Sequence, residues 1–245
     1  MKRILIIGAT SAIASACARR WAQPGTRFYL VARSRDKLAT IARDLEIRGA
    51  SVSQDCLDLD RLDTHRGLLD RCLATLGPPD LTLVAHGTLP QPEESRDQAA
   101  VAAACFHTNA TSTISLLTEI GGRLAQAGGG RIAVLSSVAG ERGRPSNYPY
   151  GASKAAVTAF CEGQRAWLFR RGVAILVVKP GFVDTPMTAG MEIPAALSTT
   201  PERVAADIDR ALGREHDTLY TPWFWSPIMR VIRLLPTFLF KRMDL

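Results

Sequence analysis

The sequence lacks the features that mark several large classes of protein. It has no apolar stretch that is both long enough and free enough of charge to cross a bilayer. The short apolar run in MKRILIIGAT is followed by no small-residue cleavage site, so we expect a first strand there and not a signal peptide. These absences argue against a membrane-spanning or secreted protein.

Cysteine is scarce, and no two cysteines are close in the sequence. The 5 residues are Cys17, Cys56, Cys72, Cys105 and Cys161. An odd number at wide spacing predicts free thiols in a reducing compartment, the cytoplasm, and no metal ligands. The net charge is +7, but the basic residues are scattered and form no long run with aromatic residues, so we expect no nucleic-acid partner.

The sequence does contain a regular alternation of apolar runs with helical patterns. Strand-like runs cover 3–7, 27–32, 51–56, 81–85, 131–136, 173–178 and 217–221. Helix-like segments cover 12–22, 35–48, 61–76, 99–126, 151–171 and 201–213. This alternation predicts an α/β fold, a doubly wound, Rossmann-like parallel sheet of about seven strands with helices on both faces. We expect one catalytic domain over 1–221, an apolar and basic tail over 222–245, and a lid in the irregular stretch 186–200.

Such sheets bind ligands at the carboxyl ends of their strands, so the residues after each strand are the candidate site. The first strand leads into Gly8, while Ala12 and Ala14 stand where a dinucleotide-binding turn carries its second and third glycines. Gly8 suits the tight turn, and the next helix can direct backbone N–H groups at a pyrophosphate. We expect phosphate-side contacts from Thr10, Ser11 and Ile13, with a further hydroxyl from Ser15. On this motif alone, an ordinary strand–turn–helix is an equally good interpretation.

The second strand is followed by Arg33, at a place where an NAD site usually has Asp or Glu for the ribose. A guanidinium suits a 2′-phosphate, which favours NADP(H); an arginine at a helix start is the alternative. Further cofactor contacts are expected after strands three, four and six, from Asp58, Leu59, Ala85, His86, Gly87, Pro180, Gly181, Val183 and Thr185. We interpret His86 as a structural residue and not as an acid–base group.

The fifth strand ends at Ser136 and Ser137, and the chemistry is expected there. Tyr150 and Lys154 lie four residues apart at the start of a helix, so they share one helical face. The intervening loop is rich in Gly, Pro and Arg and can fold back to bring Ser137 to them. Tyr148 lies two residues out of this register.

This set suits hydride transfer between a nicotinamide and a carbonyl carbon, because the carbonyl oxygen then needs a proton. A phenol with its free pKa of ~10 is too weak a base for the reverse reaction. We expect the ammonium of Lys154 and an oxidised nicotinamide to lower the pKa of Tyr150. Asn109 is a candidate to hold a water molecule behind the lysine.

Together these motifs resemble the short-chain dehydrogenase/reductase family over about residues 3–221. The resemblance is carried by Ser137, then Tyr150 and Lys154 at their spacing, and the Pro180-Gly181 turn. It implies a Rossmann-like fold, a nicotinamide cofactor and the interconversion of alcohols and carbonyls. It also implies a homo-dimer or homo-tetramer, formed through the helices that carry Asn109 and Tyr150.

The resemblance assigns a role to each catalytic candidate. Tyr150 is implied to be the acid/base, Ser137 the substrate hydrogen-bonder, Lys154 the group that tunes the phenol and binds the cofactor ribose, and Asn109 the relay anchor. The sequence departs from the family pattern at the first turn, which reads Ile7-Gly8-x-x-x-Ala12-x-Ala14, and at the fourth strand end, which reads Val84-Ala85-His86-Gly87. The GATSAIA start and the tail resemble a subgroup that includes decaprenylphosphoryl-2-keto-erythropentose reductases, which act on a lipid-linked sugar.

The tail contains PWFWSPIMRVIRLLPTFLFKRM, with Arg230 and Arg233 on one helical face. Two interpretations stay open: a helix that covers the substrate pocket or an oligomer interface, and an interfacial helix in peripheral contact with the inner face of a membrane. We predict an NADPH-dependent reductase that acts on a carbonyl of a hydrophobic or lipid-linked small molecule, with Tyr150 as proton donor. The alternatives are an NADP-dependent dehydrogenase of a secondary alcohol, such as a steroid- or sugar-like one, and a nucleotide-binding regulator without turnover.

Overall fold

A parallel sheet of seven strands forms the centre of the protein, as seen in a computed structural model that describes residues 2–190 and 194–243. Its strands are β1 (Arg3–Ile7), β2 (Arg27–Ala32), β3 (Ser51–Cys56), β4 (Leu81–Val84), β5 (Gly130–Leu135), β6 (Val173–Pro180) and β9 (Thr218–Thr221). The spatial order is β3-β2-β1-β4-β5-β6-β9, and every neighbouring pair is parallel. The order reverses direction at β1, and the crevice at such a point is where doubly wound sheets bind ligands.

Helices cover both faces of the sheet because successive side chains along a strand point to opposite sides. Along β1, Ile4 and Ile6 belong to one apolar cluster, while Leu5 and Ile7 belong to the other. The helices are α1 (Ala12–Trp21), α2 (Arg35–Ile47), α3 (His65–Leu76), α4 (Pro92–Asp97), α5 (Ala99–Phe106), α6 (Ser112–Gln126), α7 (Tyr148–Phe169), α8 (Pro201–Gly213), α9 (Trp225–Leu234) and α10 (Thr237–Phe240). α1, α2 and α8 pack on the first cluster, and α3, α6 and α7 pack on the second. The predicted doubly wound fold is thus confirmed.

The boundaries differ from the prediction where tertiary contacts override the local pattern. The helix predicted over 99–126 is divided by a π-helical turn, His107–Thr111, in which each hydrogen bond spans one extra residue. The helix predicted from residue 151 begins at Tyr148, with a proline in its first turn, where a missing N–H costs nothing. α4 was not predicted, and neither was a small second sheet of β7 (Phe182–Val183) and β8 (Ser198–Thr199).

The stretch predicted as a lid is partly ordered by this second sheet. β8 pairs with β7 in register, Val183 opposite Thr199, directly after the end of β6. The central residues of the predicted lid, 191–193, lie outside the described residues. The described residues of the predicted lid therefore lie on both sides of that gap, and Ser198 and Thr199 among them form β8.

The tail forms α9 and α10 and packs back onto the end of the sheet. Trp225 and Met229 of α9 form a third apolar cluster with Val138, which follows β5. Across residues 2–190 and 194–243, none of the helices combines the length and the apolar character needed to cross a bilayer.

Candidate active site

The predicted catalytic residues meet at the carboxyl edge of β5 because two glycines let the chain approach α7 closely. A short 3₁₀ turn over Val138–Glu141 lies directly after Ser137. A Cβ on Gly140 would lie 2.8 Å from the backbone N of Ala155, and a Cβ on Gly151 would lie 2.7 Å from the carbonyl oxygen of Ala139. Only glycine permits both contacts, so the 3₁₀ turn rests on the first turns of α7.

Ser137 lies close enough to Tyr150 to act on its phenol. Ser137 accepts the backbone N–H of Ala139 at 3.1 Å, which fixes its hydroxyl. Burial raises the pKa of Tyr150 to about 12, although Ser137 works in the opposite direction. The phenol is therefore protonated at neutral pH. Tyr148, by contrast, is 46% exposed and lies outside this contact.

Lys154 lies behind the tyrosine and is almost fully buried. Its ammonium donates to the carbonyl oxygen of Leu135 at 2.9 Å and stands 5.7 Å from the centre of the Tyr150 ring. Burial lowers the pKa of Lys154 to about 8. In the protein without cofactor, burial raises the pKa of Tyr150 and the Lys154 ammonium is directed to Leu135. The expected lowering of the Tyr150 pKa by Lys154 together with an oxidised nicotinamide stays a prediction.

Asn109 lies within the π-helical turn, and its side chain binds the chain that follows β4. The amide accepts from the N–H of Thr88 and donates to the carbonyl of Thr88, both at 2.8 Å. A further donation reaches Cys105 at 3.2 Å. The amide nitrogen thus has two acceptors and Oδ1 accepts one of the two hydrogen bonds that it can take, so the predicted water behind Lys154 stays a prediction.

Gly87 makes room for this amide. A Cβ on Gly87 would lie 2.6 Å from Oδ1 of Asn109 and 3.6 Å from Nζ of Lys154. Sequence reasoning assigned Gly87 to the close approach of a ligand. The structure shows that the close approach is to Asn109 and Lys154.

The turn after β1 has the features of a phosphate cradle. Gly8 has φ +79°, and a Cβ there would lie 2.5 Å from the backbone N of His86. The first turn of α1 has no acidic residue, and the Ser11 side chain makes no capping hydrogen bond, so hydroxyl and N–H groups face the edge of the sheet. These residues fit the pyrophosphate of a dinucleotide.

Two of the expected phosphate contacts are restricted by their packing. Ser15 is buried and donates its hydroxyl to the carbonyl of Ala9 at 3.0 Å, so it is not available to a phosphate. Ile13 places its side chain in the core and is 9% exposed; only its backbone can face a ligand. Thr10 remains partly exposed on the turn itself.

Arg33 is exposed at the end of β2. Among the described residues no carboxylate pairs with its guanidinium, so the charge is available to a ligand. The predicted adenine wall after β3 is fixed by α6: the carbonyl of Leu59 accepts from Ser112 at 2.6 Å and contacts His65 at 2.9 Å. Asp58 is exposed beside this wall, and the Leu59 side chain is buried under it.

His86 makes contacts typical of a structural residue, and its expected contact with the cofactor stays a prediction. Its Nε2 lies 3.1 Å from the Ser112 hydroxyl and 3.3 Å from that of Thr113. Ser112 donates its own hydroxyl proton to the carbonyl of Leu59. In the contact with His86, Nε2–H is therefore the donor and the Ser112 oxygen is the acceptor. Burial, with Lys154 adding to it, lowers the pKa of His86 to about 3, so the ring stays neutral.

The turn after β6 is covered by the tail. A Cβ on Gly181 would lie 1.8 Å from Nε1 of Trp225, so the indole rests directly on the turn that follows Pro180. Val183 is buried, and its carbonyl accepts the Thr188 hydroxyl at 2.6 Å. The N–H of Thr185 donates to the same hydroxyl at 3.2 Å. Thr188 thus closes the loop, a contact that sequence reasoning missed.

Glu141 is a second residue that sequence reasoning missed. Its carboxylate, 4% exposed, pairs with Lys179 and accepts from the Tyr220 hydroxyl at 3.0 Å and from Arg233 at 3.3 Å. One carboxylate thus joins the turn after Ser137, the end of β6, the end of β9 and α9. The only sequence signal was an acidic residue in a basic loop.

A parallel sheet with a phosphate cradle after β1 and a Ser–Tyr–Lys set after β5 defines a dinucleotide-dependent oxidoreductase. A family model for short chain dehydrogenases matches residues 2–194. The chain belongs to this family, whose members are oxidoreductases that use NAD(H) or NADP(H). The predicted family is thereby confirmed, while the resemblance to the lipid-linked sugar reductases stays a prediction.

Relatives and solved structures agree with this assignment. An uncharacterized oxidoreductase of Mycobacterium tuberculosis is 40% identical over 241 residues, covering 98% of this chain and 96% of the relative. A putative ketoacyl reductase of Streptomyces coelicolor is 30% identical, covering 76% of this chain and 72% of the relative. A variant of actinorhodin polyketide ketoreductase, crystallised with NADPH, has the same fold, with a TM-score of 0.80 at 23% identity over 90% of this chain and 95% of that one.

Proposed function

We propose that this protein is an NADPH-dependent reductase of a hydrophobic carbonyl compound, with Tyr150 as the proton donor. The observation that carries the proposal is the placement of Tyr150 at the sheet edge, with its ring centre 5.7 Å from the Lys154 ammonium and with a phenol that burial keeps protonated. The reduced nicotinamide supplies a hydride to the carbonyl carbon. The phenol supplies the proton to the carbonyl oxygen, and Ser137 donates a hydrogen bond to that oxygen as its charge grows.

Lys154 has two tasks in this scheme. Its buried ammonium, fixed on Leu135 at 2.9 Å, stabilises the phenolate that remains after the proton has left Tyr150. Its lowered pKa, about 8, makes it a suitable source for the returning proton near neutral pH.

Two tyrosines in one helical turn provide a matched test. Tyr150→Phe removes the proton donor, and we expect it to lower kcat for NADPH-dependent ketone reduction by about 10²–10⁴-fold. Tyr148→Phe removes the same hydroxyl from a side chain that is 46% exposed, and it should leave kcat unchanged. Equal rates for wild type and Tyr150→Phe would refute the proposal.

The preference for NADPH rests on Arg33. Its exposed guanidinium has no carboxylate partner within the described residues, and β2 ends without the acidic residue that binds a ribose diol. The polyketide ketoreductase of the same fold was crystallised with NADPH, which is consistent with this choice. We expect Arg33→Ala to weaken NADPH binding at least tenfold in calorimetry and to leave NADH binding unchanged. Equal affinity of wild type for both cofactors would contradict the role.

A hydrophobic substrate is favoured by the wall beside the catalytic serine. Val138 directly follows Ser137 and packs, buried, with Trp225 and Met229 of the tail, so the tail brings apolar side chains to the turn beside the catalytic serine. The name of the Streptomyces coelicolor relative, a putative ketoacyl reductase, points to the same substrate class. Activity should therefore rise with alkyl chain length in a series of aliphatic ketones.

The tail supports a further part of the proposal, peripheral contact with anionic lipid. Its outward side bears exposed apolar residues, among them Trp223 at 74%, Leu234 at 82% and Phe238 at 60%. Residues 222–243 contain no Asp or Glu and several Arg and Lys. Aromatic and apolar side chains next to basic ones are the composition of an interfacial helix.

Exposed apolar residues elsewhere allow a matched control for lipid contact. We expect the full chain to sediment with phosphatidylglycerol vesicles, and Leu234→Ser with Phe238→Ser to abolish this. Ile47→Ser, at an equally exposed site on α2 (82%), should have no effect. A wild-type protein that stays in the supernatant would refute the lipid contact and leave the reductase proposal intact.

A further inference from the structure

Arg144 lies in the loop between the two catalytic residues Ser137 and Tyr150. Two contacts locate this loop: Arg142 donates to the carbonyls of Ile232 and Leu235 in the tail, at 2.5 and 2.6 Å, and the N–H of Asn147 donates to the carbonyl of Arg144 at 3.1 Å. Arg144 is therefore held midway between the tail and the first turn of α7, where Tyr150 lies.

The guanidinium of Arg144 is partly buried without a partner. Its Nε is fully enclosed and has no hydrogen-bond acceptor, and no carboxylate in residues 2–190 or 194–243 forms an ion pair with it. Burial lowers the pKa of Arg144, and within the part of the chain that the structure describes no negative charge opposes that effect. Buried cations in proteins are normally paired, so this one is an exception that needs an explanation.

Arg142, in the same loop, has the contacts expected of a structural arginine. Its guanidinium has two carbonyl acceptors and stacks 3.8 Å from the ring centre of Phe240. Arg144 has neither kind of contact. In the same loop, Oδ1 of Asn147 is also buried and unpartnered. Two orphaned polar atoms in one short loop need an explanation, because buried polar groups in proteins are normally hydrogen-bonded.

We propose that Arg144 binds an oxyanion, a carboxylate or phosphate group, on the substrate that Tyr150 reduces. A guanidinium is suited to this task because its planar donors match the oxygens of either group. The substrate is then an anionic carbonyl compound whose apolar part lies against Val138 and the tail. A hydroxyl next to the anion has a ready acceptor in Asn147. This inference rests on the proposed reductase function for the identity of the substrate, but not for the anion site itself.

The experiment measures anion binding without turnover. The full-length protein carrying Tyr150→Phe is saturated with NADPH, which occupies the phosphate sites of the cofactor cradle, and is titrated calorimetrically with inorganic phosphate, benzoate and benzamide. We expect phosphate or benzoate to bind, and the stronger of the two identifies the type of anion. Arg144→Gln should weaken that binding roughly ten- to a hundredfold. Benzamide, which is neutral, should show no dependence on Arg144.

Two further variants make the test decisive. Arg170→Gln removes an exposed arginine at the far end of α7 and should leave anion binding unchanged. Arg144→Lys keeps the positive charge but loses the planar set of donors, so it should bind the anion with intermediate affinity. This variant decides the question if Arg144→Gln does not fold. No anion binding, or equal binding with and without Arg144, overturns the inference. Unchanged ketone reduction in Tyr150→Phe would instead overturn the proposed function.

Discussion

Glu141 offers the sharpest test of how the tail and the catalytic turn are held together. Its side chain is 4% exposed and its partner Lys179 is 8% exposed, so this pair is desolvated. Arg233, the second cation that contacts Glu141, is 60% exposed and adds little, as surface ion pairs do. Replacing Glu141 by Gln leaves the ammonium of Lys179 buried without a counter-charge.

The magnitude follows from that unpaired charge. Breaking a buried pair by removing one partner costs about 3–5 kcal/mol in the free energy of unfolding. For a chain of this size, 1 kcal/mol corresponds to a shift in Tm of about 2–4 °C. We therefore expect Glu141→Gln to lower the Tm at pH 7 by roughly 6–20 °C, measured by far-UV circular dichroism.

A surface pair provides the control for this measurement. Arg61 and Asp63 are paired at 3.0 Å, but their side chains are 67% and 69% exposed. Asp63→Asn should change the Tm by less than about 2 °C, because exposed pairs contribute little. A Tm for Glu141→Gln within about 2 °C of wild type would show that the buried pair does not hold the tail.

The pH dependence of the same variant has a definite sign. Burial alone would raise the pKa of Glu141, but Lys179, Tyr220 and Arg233 together hold it below its usual value. A carboxyl whose pKa is lower in the folded state stabilises the fold above its unfolded pKa. That contribution is lost as the pH falls through the folded pKa. The difference in Tm between wild type and Glu141→Gln should therefore be full at pH 7 and shrink below about pH 4.5.

Three further predictions concern the cradle, the adenine wall and the assembly. In thermal scans, Gly8→Ala should lower the Tm far more than Gly190→Ala. Both glycines have positive φ, but of the two only Gly8 would place a Cβ against a backbone atom, at 2.5 Å; equal losses of Tm would contradict this. Thr108→Val, which removes a 2.9 Å hydrogen bond to Asp60, should weaken NADPH binding about fivefold with kcat unchanged, and an unchanged Kd would refute it. Trp167, 48% exposed on α7, should lie in a homo-oligomer interface, so Trp167→Glu should reduce the mass measured by light scattering; a monomeric wild type would refute that.

The sheet was predictable because its signal is local. The central strands of the large sheet are short apolar runs, and burial on both faces leaves almost no polar residue in β1 or β4, whereas the edge strand β3, SVSQDC, is largely polar. The pairing of Tyr150 with Lys154 was also predictable, since residues four apart on a helix lie on the same face. Neither deduction needs knowledge of a distant part of the chain.

The features that could not be predicted from the sequence depend on contacts between residues that are far apart in the chain. β7 and β8 have two residues each, too few to produce a pattern, and they exist because they pair with one another. Glu141 is one acidic residue among several in loops until Lys179 and Tyr220, 38 and 79 residues away, are placed beside it. The sequence also did not predict that the pKa of Tyr150 is raised in the protein without cofactor, because burial is a property of the packed chain.

The π-helical turn shows the same limit most clearly, and it joins the two ends of the site. HTNAT has ordinary helical periodicity, so nothing local requires a wider turn. In the fold, however, His107 and Thr108 bind Asp60 beside the adenine wall, at 2.9 Å each, while Asn109 binds Thr88 beside Lys154. Three consecutive residues must satisfy two separate loops, and an extra residue in the turn re-aims them. The shape of this turn is therefore set by the site it serves and not by its own sequence.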